Sequence, residues 1–180
     1  MSSEGIVVTG RRDAGTTRAE AFGRLAEQEL DHAFAVACLI LGDRDEAEDA
    51  VHDALESAWL GRDSLRDPAR FAGWFGRIVT NACRDVARRR RLAPITMAVL
   101  PEHPAPDEAA LLPEREALRA ALRELDVAHR TVLVLRYWED LPIEEIARRV
   151  GERPGTVKSR LHYGLQALRA VLERAGRTEA

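Results

Sequence analysis

The stretch Leu141-Pro142-Ile143-Glu144-Glu145-Ile146-Ala147-Arg148-Arg149-Val150-Gly151, followed by Gly155-Thr156-Val157-Lys158-Ser159-Arg160-Leu161, decides how this chain folds. Its spacing predicts a helix-turn-helix. Pro142 suits an opening helical turn, where no backbone donor is needed. Ile143, Ile146, Ala147 and Val150 form an apolar stripe at three- and four-residue steps. Gly151 supplies the sharp stop that a tight turn between helices requires. Pro154 opens a second helix, with Val157, Leu161, Leu165, Leu168 and Leu172 on one face.

At about 100° per residue, the face opposite that stripe carries Thr156, Ser159, Tyr163 and Gln166, flanked by Lys158, Arg160 and His162. A helix whose outward first turns are small, hydroxylated and basic approaches base edges and phosphates closely. An ordinary amphipathic hairpin with a solvated basic face has the same spacing, so this stretch alone leaves both readings open.

The rest of the chain sets the class. Its 180 residues allow one domain or two small ones. A hydrophobic content of 46% with 32% charged residues describes a globular protein and not a disordered one. Alanine, leucine and arginine dominate, aromatics are 5%, and β-branched runs are scarce, so an all-α fold is expected. No segment approaches twenty apolar residues, which argues against membrane insertion. The apolar run Ile6-Val7-Val8 is too short for a secretory signal, so a cytoplasmic protein is expected. Cys38 and Cys83 each fall in an apolar helical pattern and read as small core residues. With the histidines scattered, there is no metal-ligand spacing. No P-loop or nucleophile–base pair is present, so neither a cofactor nor catalytic residues are expected.

The net charge of −3 becomes informative when resolved along the chain. Residues 43–56 hold seven acidic side chains and one basic, whereas residues 62–91 hold nine basic and three acidic. Adjacent blocks of opposite sign suggest two different partners, and the acidic block opposes approach to phosphates.

Five of the eight prolines fall between Pro94 and Pro113, where no Lys or Arg occurs, and this run reads as an extended linker. The expected organisation is an N-terminal flexible extension over 1–18, a helical bundle over 19–92, a Pro-rich linker over 93–113 and a helix-turn-helix domain over 114–175. In the bundle, Phe22, Leu25, Ala26, Leu30, Ala33, Phe34, Ala37 and Leu41 make one stripe ending at Gly42. Asp43 is placed to cap the next helix. That helix buries Ala47, Ala50, Val51, Ala54, Leu55, Ala58 and Trp59, and its other face presents Glu46, Asp49, Asp53 and Glu56. A third stripe runs Phe71, Trp74, Phe75, Ile78, Val79, Ala82 and Val86. The third helix ends in four arginines, Arg88 to Arg91, more than its dipole needs, which points to a phosphate-binding patch.

Three segments together resemble one family. Ala47-Glu48-Asp49-Ala50-Val51-His52-Asp53-Ala54 is similar to the core-binding helix of bacterial RNA polymerase sigma factors of the extracytoplasmic-function group. Phe71-Ala72-Gly73-Trp74-Phe75-Gly76-Arg77-Ile78-Val79-Thr80-Asn81-Ala82-Cys83-Arg84-Asp85 resembles their promoter-melting and minus-ten-reading segment. Gly155-Thr156-Val157-Lys158-Ser159-Arg160-Leu161 resembles their minus-thirty-five recognition helix. The likeness runs over residues 20–172 in the expected order.

The resemblance implies three sets of residues. Glu46, Asp49, His52, Asp53 and Glu56 would dock on core RNA polymerase, a basic coiled coil of β′ first, with β also contacted. Arg62, Arg66, Arg70, Arg77, Asn81, Arg84, Arg88 and Arg89 would hold the melted minus-ten element, whose unpaired bases expose edges that a duplex hides. Thr156, Lys158, Ser159, Arg160, His162 and Tyr163 would read minus thirty-five in the major groove. Trp74 and Phe75, on the apolar stripe, are assigned to the core. The linker would thread through the polymerase near the RNA path. His52 stands where the family generally has Gln, Glu152 replaces an apolar residue at the helix-helix turn, and Tyr163 lies where many members place Arg. The last change puts the promoter sequence in question, because Tyr bonds a phosphate or touches a thymine methyl instead.

The expected function is therefore an initiation subunit, not an enzyme, that binds core polymerase and promoter DNA and is controlled by a separate anti-sigma protein. A stand-alone homodimeric helix-turn-helix regulator would account for residues 130–172 but not for the acidic helix or residues 81–91. An anti-sigma or adaptor protein would leave the basic stretch and the recognition helix without a role.

Overall fold

The computed structural model describes residues 10–92 and 113–178, so the linker expected over 93–113 lies, but for Pro113, outside the described residues. The chain order is α1 (Gly10–Leu41), α2 (Arg44–Gly61), two short 3₁₀ turns (Arg62–Ser64 and Pro68–Arg70), α3 (Phe71–Leu92), α4 (Pro113–Arg123), α5 (Val127–Tyr137), α6 (Ile143–Val150) and α7 (Pro154–Thr178). Among the described residues there is no strand, and the all-α expectation holds. α1 begins at Gly10, inside the stretch expected as an N-terminal extension over 1–18.

The first three helices form one bundle. Gly42 turns the chain at φ +74°, and Asp43 then caps α2 by accepting from the backbone N–H of Glu46 at 2.9 Å. Ala47, Ala50, Ala54 and Ala58 are buried along α2, so this helix seats closely against α1 and α3. Ile40, Leu41, Phe71, Phe75 and Val79 fill the centre. Phe22 meets Phe71 edge to face with centroids 5.6 Å apart, and Phe71 stacks on Phe75 at 5.5 Å. Each such side chain stabilises the bundle by roughly 1.5–3 kcal/mol. The core assignment of Phe75 and Cys83 is correct, and Trp74 packs half-buried against the same cluster.

The last four helices form a second core around Leu125, Val132, Leu135, Ile146, Val150, Val157 and Leu161. Asp126 caps α5 through the N–H of Ala128 at 2.8 Å. Gly151, at φ +66°, stops α6, and Pro154 starts α7, as the spacing predicts. Pro142 stands one position earlier than expected. It is the N-cap of α6, with ψ 156°, and its carbonyl accepts from the N–H groups of Glu145 and Ile146 at 3.0 Å.

The inner face of α7 also differs from the leucine stripe. Val157, Leu161, Gly164 and Val171 are buried and Leu168 half-buried, while Leu165 and Leu172 are exposed. The steps 157, 161, 164, 168 and 171 keep the 3.6-residue period, and the run of leucines drifts off it. Gly164 holds the register: a Cβ there would lie 3.3 Å from His129 Cβ and Leu133 Cδ1, so α5 and α7 close over a glycine.

The two bundles pack against each other, α5 on α1 and α6 on α3. Val134 of α5 belongs to the first core, and Val127 packs on it. Arg149 of α6, 6% exposed, lies against Gly76 of α3, where a Cβ would meet its Nη1 at 2.6 Å. Glu139 lies between them, 3.6 Å from Arg149 Nη1 and 2.6 Å from His32 Nε2 of α1.

Candidate nucleic-acid interface

The acidic residues of α2 recur at steps of three and four, which sets them in one row along the helix. Asp49, His52 and Glu56 are exposed, Glu46 and Asp53 half-buried. This row is not free along its whole length. Arg90 Nη1 donates to Glu46 Oε2 at 2.8 Å, and Arg89 Nη2 donates to Asp53 Oδ2 at 2.9 Å. Burial pushes the Glu46 carboxyl up, and the Arg90 guanidinium opposes that shift.

The residues assigned to the minus-ten strand fall into groups. Arg77, Asn81, Arg84 and Arg88 share one side of α3, with Arg77, Asn81 and Arg88 exposed. Arg88 pairs with Asp85 of its own helix at 3.0 Å. Arg84 is turned toward the second bundle, and its Nη1 donates to the Val150 carbonyl at 2.5 Å. Arg89 is turned toward α2, as described. On the connection between α2 and α3, Arg66 and Arg70 are exposed, and Arg70 lies 3.6 Å from Asp67. Arg62 stacks 4.1 Å from the centroid of Trp59 and donates to its carbonyl at 2.6 Å. Trp59, taken in the sequence for a core residue, is 40% exposed and gives this connection an aromatic floor.

On α7 the structure brings Lys158, Ser159, His162 and Tyr163 together as exposed neighbours on two outward turns. Ser159 Oγ donates to the Gly155 carbonyl at 3.1 Å. The His162 and Tyr163 rings meet edge to face at 5.3 Å, and Gln166 Nε2 lies 3.1 Å from His162 Nε2. Thr156 and Arg160 are half-buried. Arg160 Nη2 donates to Glu152 Oε1 at 3.0 Å, so it braces the turn of the helix-turn-helix and does not stand in the exposed row. The charged residue that departs from the family pattern at 152 thus has its partner on the next helix.

Two arginines that sequence reasoning left without a role are buried. Arg149 lies in the seam between the bundles. Arg130, 2% exposed, donates from Nη2 to the Leu125 carbonyl at 3.1 Å, while its Nε and Nη1 have no hydrogen-bond partner among the described residues. Burial pushes the Arg130 guanidinium down to about 10, with Arg90 adding to the shift. The sequence signal for Arg149 was its place beside Val150 and one turn from Ile146 in α6. Among the described residues no cluster of His, Cys, Asp and Glu fits a metal ion, and no helix is long and apolar enough to cross a membrane.

Comparison with known proteins settles what this arrangement belongs to. Residues 25–93 match the Sigma-70 region 2 family and residues 115–168 the Sigma-70, region 4 family. The chain is 32% identical over 174 residues to the ECF RNA polymerase sigma factor SigL of Mycobacterium tuberculosis, covering 93% of this chain and 98% of that one. The chain belongs to the extracytoplasmic-function sigma factors. This sigma factor is also 27% identical over 157 residues to the RNA polymerase sigma factor SigV of Bacillus subtilis, covering 87% of this chain and 93% of that one. Among solved structures it is similar to the sigma factor RpoE in complex with the anti-sigma factor NepR from Bartonella quintana. That likeness has a TM-score of 0.66 at 25% identity, over 84% of this chain and 96% of that one. The fold is shared as well with CnrH in complex with the cytosolic domain of CnrY, with a TM-score of 0.58 at 24% identity, over 87% of this chain and 95% of that one.

Proposed function

We propose that this sigma factor docks on core RNA polymerase through Glu46, Asp49, His52, Asp53 and Glu56 of α2, β′ being the first surface met. Lys158, Ser159, His162 and Tyr163 of α7 then read the minus-thirty-five duplex in the major groove, with Thr156 and Arg160 at the edge of the same helix face. Residues 62–70 with Arg77, Asn81, Arg84, Arg88 and Arg89 hold the melted minus-ten strand. Region 2 then spans 19–92, the linker 93–113 and region 4 114–175. Melting is driven by favourable binding of unstacked bases, so the protein is a specificity subunit without a reaction of its own. It works in the cytoplasm, and a separate anti-sigma protein is its natural regulator, as in the RpoE complex with NepR.

The observation that carries this reading is the exposed row on α7. A helix-turn-helix that buries Val157 and Leu161 leaves Lys158, Ser159, His162 and Tyr163 uncovered on its second helix. Transcription in vitro with core polymerase, followed by mapping of start sites, tests it. Discrete starts that require both the protein and core polymerase are expected. Specific duplex binding by the isolated protein as a dimer, without holoenzyme formation, would establish the operator-binding regulator instead.

A further inference from the structure

The acidic row of α2 and the arginine run of α3 have so far been given to different partners, yet they are joined to each other. α2 and α3 run antiparallel in the bundle, so the start of α2 meets the end of α3. Glu46 receives Arg90 at 2.8 Å and Asp53 receives Arg89 at 2.9 Å. Asp49, between them on the same row, is exposed and has no ion pair among the described residues. Arg88 is occupied within α3 by Asp85.

We propose that the Arg89–Asp53 and Arg90–Glu46 pairs form an exchange switch, in which a basic polymerase surface arriving on α2 displaces the two guanidiniums and frees them for promoter phosphates. The inference rests on the reading of α2 as the polymerase-docking helix. In the free protein each set of charges is the competitor of the other's partner. Core polymerase, by taking the carboxylates, raises the affinity of α3 for DNA, and DNA, by taking the guanidiniums, raises the affinity of α2 for polymerase. The two effects are equal because linkage is reciprocal.

The pairs suit exchange better than locking. Arg89 and Asp53 have side chains 64% and 48% exposed, Arg90 and Glu46 47% and 26%, and pairs that reach solvent on both sides are weak enough to be traded. Two such pairs give a coupling of roughly 2- to 30-fold. Asp49 remains as a landing carboxylate before either pair has opened.

The test has two arms on the full-length chain. In the first, core polymerase is titrated without DNA. Arg89→Gln with Arg90→Gln should bind core roughly 2- to 30-fold tighter than the wild type. Arg88→Gln with Arg91→Gln, the same change in charge off the pairs, should gain less. In the second, the free protein is titrated with a single-stranded DNA oligonucleotide. Glu46→Gln with Asp53→Asn should bind tighter by a similar factor, and the charge-matched Asp49→Asn with Glu56→Gln should gain less. Circular dichroism confirms that each variant is folded, and Arg90→Ala alone serves if a double variant is not.

Unchanged or weakened core binding by the folded Arg89 and Arg90 variants, with Asp49→Lys still weakening it, overturns the exchange and leaves the docking reading standing. No effect of Asp49→Lys either would remove the docking reading, and the exchange with it. Equal gains in the paired and charge-matched variants also overturn the exchange, because net charge alone would then explain the effect.

Discussion

Arg84 of α3 donates from Nη1 to the carbonyl oxygen of Val150, the last residue of α6, at 2.5 Å and 66 residues away in the chain. The carbonyls at a helix C-terminus lack intrahelical donors, and a guanidinium there is favoured by the helix dipole as well. The contact joins the helix read as a minus-ten surface to the first helix of the helix-turn-helix. Arg149 closes the same seam beside Gly76, under Glu139 and His32.

The seam gives the first prediction. Gly76→Leu places a branched side chain where even a Cβ would lie 2.6 Å from Arg149 Nη1, and a nearly buried guanidinium has little room to withdraw. The two bundles should separate, drawing Val134 and Val127 out of the first core while the rest of each core stays packed. Small-angle scattering should report a larger radius of gyration at unchanged helix content. Arg84→Ala removes a charge-assisted bond worth about 1.5–3 kcal/mol and should open the seam in part. A folded Gly76→Leu protein as compact as the wild type would show that this contact does not hold the bundles together.

Gly164 governs the register of α7 and can be tested apart from function. A Cβ at 164 comes within 3.3 Å of both His129 Cβ and Leu133 Cδ1, so Gly164→Leu overpacks the contact between α5 and α7. Overpacking of this kind costs about 1–3 kcal/mol. Leu165→Ala, on the exposed side, should cost much less. Thermal unfolding of the two variants compares them, and equal losses would mean that α7 presents its leucine stripe inward after all.

These positions show how far the sequence could be read. Alternation of apolar residues at helical steps, with Gly42, Asp43, Gly151 and Pro154 as punctuation, located α1, α2, α3, α6 and α7, because stop and start signals act within a few residues, whereas α4 and α5 were expected only as parts of a helical domain. The inner face of α7 was misread, since counting leucines favours large side chains and the true contact is made over a glycine. The solvent-facing sets on α2 and on the first turns of α7 were legible as periodic rows. The engagement of Arg84 with Val150, of Arg89 with Asp53 and of Arg160 with Glu152 was not, because each depends on which helix lies opposite, and a linear pattern does not encode that. Glu152 carried the one usable hint: a charge at an apolar position needs a partner.

The two cysteines provide a chemical test of the first core. Burial pushes the Cys83 thiol from 9.0 up to about 12, and it raises Cys38 as well, more modestly because that residue is only half-buried. The thiolate is the reacting form, so at pH 8 about one Cys83 in ten thousand is reactive. Iodoacetamide should label Cys38 slowly and Cys83 only on unfolding, as read by mass spectrometry. The sign on stability follows: above pH 9 the unfolded chain releases the Cys83 proton while the native chain holds it, so stability falls as pH rises from about 9 toward 12. Rapid labelling of Cys83 in the native protein would contradict its place in the core.

The row on α7 separates reading from bracing. Lys158 is exposed beside Ser159, whereas Arg160 is held by Glu152 at 3.0 Å. If Lys158 touches a base edge, Lys158→Ala should lower holoenzyme affinity for the promoter by about 1–3 kcal/mol and relax the preference at that base pair. If it touches phosphate alone, affinity should fall evenly across sequences, and the salt dependence should drop by about one unit of slope. Glu152→Ala should instead act through geometry, loosening the turn by about 0.2–1 kcal/mol and weakening all upstream sequences alike. Leu161→Ala truncates the core and should cost about 2–5 kcal/mol of stability. Binding of holoenzyme to promoters randomised at minus thirty-five, with a melting curve for each variant, measures these three together with Ser159→Ala. Folded Lys158→Ala and Ser159→Ala proteins with full affinity and unchanged preference would mean that another surface does the reading.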